Sequence, residues 1–172
     1  MTVKKTISEW FYQYSDDVYH FLVYYTGKTD VEDLVQEVFI KAGKGLASYR
    51  GQSTPKTWLF SIARNVAIDE ERKKKKKLSQ STPFDEAMWN QQSGATPEQI
   101  FLQQEEYHEL YVAISRQKKK YREVLILRGI QDLSVKETAQ ILGCNETEVR
   151  TNYNRAIKAL RTEQIGRRAD VQ

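Results

Sequence analysis

The stretch Leu133–Gly143 reads LSVKETAQILG, and its spacing predicts a short helix followed by a tight turn. Ala139 occupies the inner position at which two crossing helices approach closely. Gly143 stands just past the last apolar residue of the stretch, where a left-handed C-cap residue is expected. With helices over residues 134–142 and 146–162, the order of short helix, turn and longer helix predicts a helix-turn-helix.

Helical spacing of apolar residues recurs through the rest of the chain, whereas the alternation typical of strands is absent. Glycine and proline, at 8 and 3 residues, are scarce. Two more helices are predicted upstream of the helix-turn-helix, over 97–117 and 120–130. The N-terminal part predicts three helices, over 7–25, 30–46 and 55–77. The sequence therefore predicts an all-α fold.

Individual residues indicate where the N-terminal helices begin and end. Gly27 is expected to end the first, and Thr54 and Pro55 have the residue types of an N-cap and a first helical position. The apolar face of the first helix is predicted to consist of Trp10, Phe11, Tyr14, Val18, Phe21, Leu22 and Tyr25. The stripe of the second is Val31, Leu34, Val35, Val38, Phe39 and Ala42, and that of the third is Trp58, Leu59, Ile62, Ala63, Val66 and Ile68.

A polar stretch divides the chain into two helical modules. Periodicity fails over residues 78–96, where serine, asparagine, glutamine and proline are frequent and an exposed linker is expected. We predict a three-helix module over 1–77, a linker over 78–96, a four-helix module over 97–165 and a tail over 166–172.

The composition excludes several classes of protein. The chain has 172 residues, 40% of them hydrophobic, which is enough for a packed core. Cys144 is the single cysteine, so an internal disulfide and a cysteine-rich zinc site are excluded. No apolar run is long enough to span a bilayer. With only two histidines and no Gly-rich phosphate loop, we predict no metal, no cofactor and no enzymatic activity, in a soluble cytoplasmic protein.

The net charge of +4 is unevenly distributed along the chain. Residues 1–41 carry four basic and seven acidic side chains (net −3), residues 42–77 carry ten and three (net +7), and residues 78–172 carry thirteen of each. Within that last part, residues 150–168 hold six basic groups and one acidic group. Two separate basic patches predict a polyanion contacted at two places.

Several blocks resemble bacterial sigma factors, in the correct order along the chain. Asp33–Ala42 (DLVQEVFIKA) and Thr57–Asp69 (TWLFSIARNVAID) resemble sigma region 2. Tyr121–Arg128 (YREVLILR), followed by Leu133–Ser134 and Glu137–Gly143, is similar to region 4.

The resemblance covers residues 10–77 and 97–162, and the absence of other sigma regions points to the extracytoplasmic-function (ECF) subfamily of the sigma-70 family. It implies that the module over 1–77 binds core polymerase and the promoter −10 element. It also implies that the module over 97–165 reads the −35 element through the helix-turn-helix.

For the second helix, the resemblance implies docking on the clamp helices of the largest polymerase subunit. Acidic side chains gain nothing against phosphates, so an acidic face is better placed against protein. The alternative is a plain solvated helix face, which is the more common fate of such charges. The predicted polymerase-binding residues are Asp33, Gln36, Glu37, Ile40 and Lys41.

The resemblance assigns the −10 element to the loop Ser48–Thr54 and the helix after it. Captured bases need a polar edge reader and an apolar or aromatic wall. Asn65 matches a position that lines a base-binding pocket in the family. Without the resemblance, a plain surface position would be an equally good interpretation of Asn65. Trp58 is expected to be mainly a core residue, and its role as an aromatic wall against DNA bases is the second interpretation. The predicted −10 contacts are Tyr49, Arg50, Gln52, Ser53, Lys56, Arg64, Asn65, Arg72 and Lys73.

The basic run Lys73–Lys77 predicts phosphate contacts, since each neutralised phosphate releases counterions. For Lys75–Lys77, a solubilising start of the linker is a competing interpretation.

The second helix of the helix-turn-helix is expected to lie in the −35 major groove. Arg150 has the side chain suited to reading guanine. Val149, Tyr153, Ala156 and Leu160 fit its buried face, and Cys144 fits a small packed residue at the turn. The predicted −35 contacts are Glu146, Thr147, Arg150, Thr151, Asn152, Asn154, Arg155 and Lys158.

The resemblance implies as partners core RNA polymerase (the clamp helices of the largest subunit and the flap of the second-largest), promoter DNA, and an anti-sigma factor, often a membrane protein. No small-molecule substrate is implied. Two other functions compete with this interpretation. One is a polymerase-independent helix-turn-helix regulator, which the region 2 blocks argue against. The other is a nucleic-acid enzyme with a basic helical domain, for which no catalytic constellation is present.

Overall fold

A computed structural model describes residues 2–80 and 105–170 of the chain. Its helices are α1 Val3–Thr26, α2 Glu32–Gly45, α3 Pro55–Gln80, α4 Glu105–Ser115, α5 Lys119–Val124, α6 Val135–Leu142 and α7 Glu146–Asp170. A 3₁₀ turn, Leu46–Ser48, follows α2, and a π-helical segment, Leu125–Ile130, continues α5. The two described ranges contain no strand, which confirms the all-α prediction.

Helix α1 begins four residues before its predicted start. Thr2 adopts an extended conformation, and its Oγ1 accepts a hydrogen bond from the Lys5 amide at 3.2 Å. This cap satisfies one of the free amides of the first turn, so the helix extends into a polar stretch that hydrophobic spacing does not reveal. Gly27 ends the helix in the left-handed conformation (φ 74°), as predicted.

Helix α2 begins at Glu32, two residues later than predicted. Val31 is fully buried and has non-helical backbone angles (φ −113°, ψ 16°), so its burial anchors the chain before the helix starts. Glu32 and Asp33 nevertheless occupy the first turn, where the helix dipole favours negative charge.

Helix α3 begins at Pro55, as predicted. Thr54 Oγ1 accepts a hydrogen bond from the Thr57 amide at 3.2 Å, and the Trp58 amide donates to the Thr54 carbonyl at 3.0 Å. The helix continues to Gln80, three residues into the stretch expected to be linker. The rest of that linker, the first residues of the helix predicted over 97–117, and the end of the tail lie outside the described residues.

The first module is held together by aromatic and aliphatic side chains of α1, α2 and α3. Phe21 stacks on Phe60 with ring centroids 5.3 Å apart, and both are at most 1% exposed. The two rings contribute the large buried area that stabilises a small core. The other core members at most 1% exposed are Val18, Leu22, Val23, Tyr25, Val31, Val38, Ala42, Leu59, Ala63, Val66 and Ala67.

The predicted burial of Phe11 is wrong, since this side chain is 45% exposed. Its ring touches only the edge of the core, meeting Phe39 at a centroid distance of 5.0 Å. Helix α1 has 24 residues and α2 has 14, so α1 is longer by about 15 Å at 1.5 Å per residue. The N-terminal half of α1 is therefore less completely covered by neighbouring helices than its C-terminal half.

The second module is arranged around α5 and its π-helical continuation. Residues 123–127 are buried without interruption, which marks a helix surrounded on all sides. The π geometry is closed by the Gln131 amide, which donates to the Ile126 carbonyl at 2.9 Å. The predicted helix over 120–130 is therefore present, but its second half is wider than an α-helix.

The helix-turn-helix is formed by α6 and α7. Gly143 has the predicted left-handed conformation (φ 66°), and its amide donates to the Ala139 carbonyl. Val149, Ala156 and Leu160 are buried, as predicted, and Tyr153 is partly buried.

Ser134→Ala is expected to lower the free energy of unfolding by about 0.5–2 kcal/mol. Ser134 Oγ accepts a hydrogen bond from the Glu137 amide at 3.0 Å, which caps the short helix α6. Urea denaturation monitored by circular dichroism measures the change, and Ser134→Thr should restore most of the lost free energy of unfolding. A Ser134→Ala variant as stable as the wild type would show that the cap contributes nothing.

The two modules pack against each other. Helix α1 contacts α4 and the π-helical segment, and α3 contacts α6. One hydrophobic cluster contains buried residues of both modules. The surfaces of the two modules therefore belong to a single packed chain.

Candidate polymerase and nucleic-acid interfaces

The residues predicted to bind polymerase form one exposed stripe on α2. At about 100° per residue, they lie within about 140° of the helix circumference. Ile40 is 58% exposed and lies among charged side chains. Lys41 pairs with Glu37 at 3.2 Å and with Asp69 of α3 at 3.8 Å. The stripe thus combines an apolar centre with a fixed pattern of charges.

A shallow groove runs beside this stripe between α1 and α2. Its lining includes Phe11, Tyr19, Val35 and Gln36, and the exposed part of Phe11 therefore lies next to a predicted polymerase contact. The hydroxyl of Tyr19, one of the lining residues, donates to the Thr29 carbonyl at 2.8 Å. The exposed part of Phe11 therefore adds apolar surface on the α1 side of the α2 stripe.

The acidic side chains within the basic middle of the sequence are all engaged in ion pairs. Asp69 pairs with Lys41 at 3.8 Å, Glu70 with Lys28 at 3.6 Å, and Glu71 with Arg122 at 3.0 Å. Their charges are compensated by cations outside the 42–77 segment. The exposed side chains of residues 72–77 of α3 thus present basic charge toward solvent.

An aromatic cluster supports the loop before α3. Tyr49 lies 4.9 Å from Trp58 and 5.7 Å from Trp10, measured between ring centroids. The Tyr49 hydroxyl donates to the Ser53 carbonyl, which ties the two ends of the loop together. Burial is the main cause of a raised Tyr49 pKa, with nearby Tyr14 adding to it, so the hydroxyl remains a donor at neutral pH. Trp58 is half-buried, so it has both a core side and an accessible side.

The predicted −10 residues do not all lie on one face of α3. Trp58, Asn65 and Arg72 are seven residues apart and share a stripe, and Asn65 and Arg72 are exposed. Lys56 lies about 180° from Asn65 around the helix. It pairs with Asp17 of α1 at 3.6 Å and sits 5.7 Å from the Phe60 ring centre. In the packed chain, Lys56 therefore lies on the opposite face of α3 from Asn65.

Arg64 is engaged by the second module. Its Nε donates to Glu123 Oε2 at 3.3 Å, and the Tyr25 hydroxyl donates to Glu123 Oε1 at 2.7 Å. Glu123 is 5% exposed. Burial, followed by the hydrogen bond to Glu123, raises the Tyr25 pKa far above its ordinary value, so the hydroxyl keeps its proton. Arg50, Gln52 and Lys73 are exposed, and Ser53 is half-buried.

On α7, most predicted −35 residues lie on one stripe away from the core. Glu146, Thr147, Arg150 and Asn154 are exposed there, and Thr151 is half-buried. This stripe begins at the helix N-terminus, next to the turn, where a recognition helix approaches bases. Arg155 and Lys158 are also exposed and lie at the edge of the stripe.

Asn152 lies apart from that stripe. By the helical step it is about 160° from the centre of the exposed residues and beside the buried face of Val149 and Ala156. It is half-buried. The packed structure therefore does not bring Asn152 together with Arg150.

Cys144 is half-buried at the turn between α6 and α7. Burial, with a contribution from nearby Glu148, raises the pKa of its thiol. The neutral thiol fits the small packed residue expected at this position.

Buried polar residues between the modules were not among the predicted site residues. Glu123 lies directly before the apolar run Val124–Leu127, and an acidic residue adjoining such a run was the available signal. Gln131 was also missed. It is 7% exposed, and its Nε2 donates to the Asp17 carbonyl at 3.2 Å.

Over the described ranges, no group of three or more His, Cys, Asp or Glu side chains is arranged to hold a metal ion. None of the helices described is both long and apolar enough to cross a membrane.

Two sigma-70 patterns match this two-module arrangement. Residues 10–77 match sigma-70 region 2, and residues 107–160 match sigma-70 region 4. These ranges correspond to α1–α3 and to the helices around the helix-turn-helix. The class defined by the fold is thus a sigma-70 protein with regions 2 and 4.

Curated relatives define the family more closely. The chain is 38% identical over 152 residues to the ECF RNA polymerase sigma factor SigX of Bacillus subtilis, covering 86% of this chain and 78% of the relative. It is 32% identical over 161 residues to the RNA polymerase sigma factor YlaC of the same organism, covering 91% and 90%. It is also 32% identical over 142 residues to the ECF sigma-E factor of Escherichia coli K12, covering 79% and 74%. The chain belongs to the ECF sigma factors, which are transcription initiation factors rather than enzymes.

Solved structures share the fold. The sigma factor RpoE of Bartonella quintana, in complex with the anti-sigma factor NepR, matches with a TM-score of 0.75 at 24% identity, covering 92% of this chain and 96% of that one. CnrH, in complex with the cytosolic domain of CnrY, matches with a TM-score of 0.70 at 19% identity, covering 95% and 90%.

Proposed function

We propose that the protein binds core RNA polymerase through the α2 stripe and directs initiation at promoters with specific −10 and −35 elements. The observation that carries this proposal is the presence, in one chain, of a mixed apolar and acidic stripe on α2 and a separate exposed stripe at the start of α7. The apolar and acidic side chains of the α2 stripe suit a protein partner better than the phosphates of DNA.

In this proposal, Asn65 and Arg72 on α3 contact the melted −10 strand, with Trp58 as its wall. Stacking on an aromatic ring is worth about 1–3 kcal/mol per base and offsets much of the cost of unstacking. The loop residues Tyr49, Arg50, Gln52 and Ser53 border the same region, and Arg72 and Lys73 approach phosphates. Arg64 joins them only when it is released from Glu123, and Lys56 only if it leaves Asp17.

On the −35 side, Arg150 reads a base edge in the major groove, and Arg155 and Lys158 contact phosphates. The exposure of the α7 stripe supports this assignment, because no part of the described chain covers it. The flap of the second-largest polymerase subunit is the partner proposed for this module.

We further propose that the protein acts in the cytoplasm, where it meets polymerase, and that it catalyses no reaction itself. The family also implies an anti-sigma partner, the kind of protein with which RpoE of B. quintana is complexed.

Run-off transcription from genomic promoter fragments tests the proposed function. Core polymerase alone should give no discrete product, and core polymerase with this protein should give products of defined length. A pull-down with core polymerase runs in parallel. A protein that binds DNA but neither binds core polymerase nor supports run-off products would be a polymerase-independent regulator, and the proposal would be wrong.

A further inference from the structure

A second basic segment lies beside the basic end of α3. Lys118–Lys120 occupies the N-cap and the first two positions of α5, and all three side chains are exposed. Lys119 Nζ lies 4.0 Å from Glu71 Oε2 of α3, and Arg122 pairs with the same carboxylate at 3.0 Å. The start of α5 therefore lies against α3 at the residue directly before Arg72–Lys75, which is exposed as well.

The direction of α5 brings its lysines toward the basic residues of α3. Glu123 contacts Arg64 at 3.3 Å, whereas Lys119 contacts Glu71, which lies about two turns further along α3. Helix α5 thus approaches the basic end of α3 when it is followed back from 123 to 119. Lys75 lies one turn beyond Glu71 on the same side of α3, about 6 Å along the axis, so it faces the start of α5.

Contacts within the protein hold the three lysines of α5 in place. Lys118 Nζ and Lys120 Nζ lie 5.8 Å and 5.5 Å from the ring centre of Tyr121, within the range of cation–π attraction. The third lysine is tied to Glu71 of α3. An aromatic ring that already holds two ammonium groups is not a free platform for stacking a base. The segment is therefore suited to phosphates rather than bases.

The two segments concentrate positive charge with little compensation. Arg72–Lys75 contributes four cations, and Lys118–Lys120 contributes three. Of the acidic groups beside them, Glu71 is shared by two cations, and Glu163 pairs with Arg116 at 3.5 Å. The helix dipole also disfavours cations at a helix start, so the stability of α5 does not explain its three lysines. Neighbouring like charges repel, and their potential favours a polyanion that lies across both segments.

We propose that Arg72–Lys75 of α3 and Lys118–Lys120 of α5 form a cationic ridge that binds the phosphate backbone of duplex DNA without reading its sequence. The ridge retains the free protein on DNA outside promoters. Each phosphate that an amine neutralises releases counterions, and this release drives binding. The lysines of α5 have no part in the proposed promoter contacts, so they test the ridge separately.

The ridge is distinct from the proposed −35 surface. Glu163 of α7 contacts Gln117, the residue directly before the lysines of α5, at 3.3 Å. Arg150 lies thirteen positions earlier in the same helix, which is about 20 Å along its axis. Duplex DNA on the ridge therefore does not occupy the exposed stripe at the start of α7.

Fluorescence anisotropy of a labelled duplex that gives no run-off product tests the ridge. The free protein is titrated at several salt concentrations. The triple variant Lys118→Gln/Lys119→Gln/Lys120→Gln should lower the slope of log Kd against log salt concentration by about 2 to 3, because each lost phosphate contact lowers it by about 0.9. Affinity at the lowest salt concentration should fall at least about tenfold. Arginine at the same three positions keeps the charge and should restore the slope.

A matched control makes the same change of net charge elsewhere. The triple variant Lys4→Gln/Lys5→Gln/Lys44→Gln removes three exposed lysines of the first module and should leave the slope unchanged. Circular dichroism checks that both triple variants are folded. If the control lowers the slope as much as the ridge variant does, net charge alone governs binding, and the ridge is overturned.

A variant of α3 tests whether both segments contact the same duplex. Lys74→Gln/Lys75→Gln should lower the slope by about 1 to 2. If this variant weakens binding and the α5 variant does not, the duplex contacts α3 alone, and the ridge is overturned. Tighter binding of a single strand of the same sequence would overturn the assignment to duplex DNA. The measurement contains neither polymerase nor promoter, so its outcome is independent of the run-off assay.

Discussion

Arg150→Ala should lower run-off transcription from a dependent promoter by about 5- to 150-fold, while affinity for core polymerase stays at the wild-type value. The range corresponds to the roughly 1–3 kcal/mol that a bidentate arginine–guanine contact contributes. Arg150 lies in the second turn of α7 and is exposed, so its removal should not disturb the core. Transcription is measured with saturating core polymerase, so that only promoter recognition limits the signal.

Two further variants distinguish base reading from phosphate contact. Arg150→Lys keeps the positive charge and loses the planar pair of donors, so it should behave like alanine if the residue reads guanine. Arg116→Ala removes an exposed arginine of the same module outside α7 and should have little effect. Equal activity of Arg150→Lys and the wild type on all promoter variants would contradict base reading and assign the side chain to a phosphate.

The helix-turn-helix was predictable because its determinants are local. Gly143 ends a helix through its own backbone conformation, and Thr54 caps α3 through an amide three residues away. The same holds for the buried face of α7, where residues spaced by three and four positions point the same way. The same helical periodicity located the α2 stripe, because its residues are left on the outer face of the helix when the apolar residues face the core.

The contact between the modules could not be predicted, because it depends on pairs distant in sequence. Glu123 meets Arg64 across 59 positions and Tyr25 across 98. No periodicity indicates which of several polar residues on two helices will meet. Knowledge of this contact changes the interpretation of Arg64, which the sequence indicates as a phosphate contact and which the packed chain pairs with a carboxylate.

The predicted −10 and −35 sets each contain a residue that lies apart from the others, for a related reason. Sequence position alone does not show on which side of a helix a residue lies, because that depends on what packs around the helix. Lys56 faces Asp17 of α1, and Asn152 lies beside the buried residues of α7.

Reversing two charges on α2, in the double variant Asp33→Arg/Glu37→Arg, should weaken binding to core polymerase at least about 30-fold. Both side chains lie in the same stripe as Ile40, within about 60° of it around the helix, so a docked partner would bury the three together. Charge pairs lost from a buried interface cost about 2–5 kcal/mol, and like-charge contacts add to that cost. Affinity is measured by fluorescence anisotropy of labelled protein titrated with core polymerase.

The fold should survive this change. Arginine in the first turn of α2 opposes the helix dipole at a cost of about 0.3–1 kcal/mol, and loss of the Glu37–Lys41 pair costs a few tenths more, about 0.3–0.5 kcal/mol. Circular dichroism and a urea midpoint confirm that the variant is folded. The matched control, Glu9→Arg/Glu109→Arg, makes the same change of net charge at exposed positions outside α2. If the control binds like the wild type and the α2 variant does not, the stripe is the docking surface. If both variants bind core polymerase with wild-type affinity, the stripe is a solvated helix face, and core polymerase docks elsewhere on the protein.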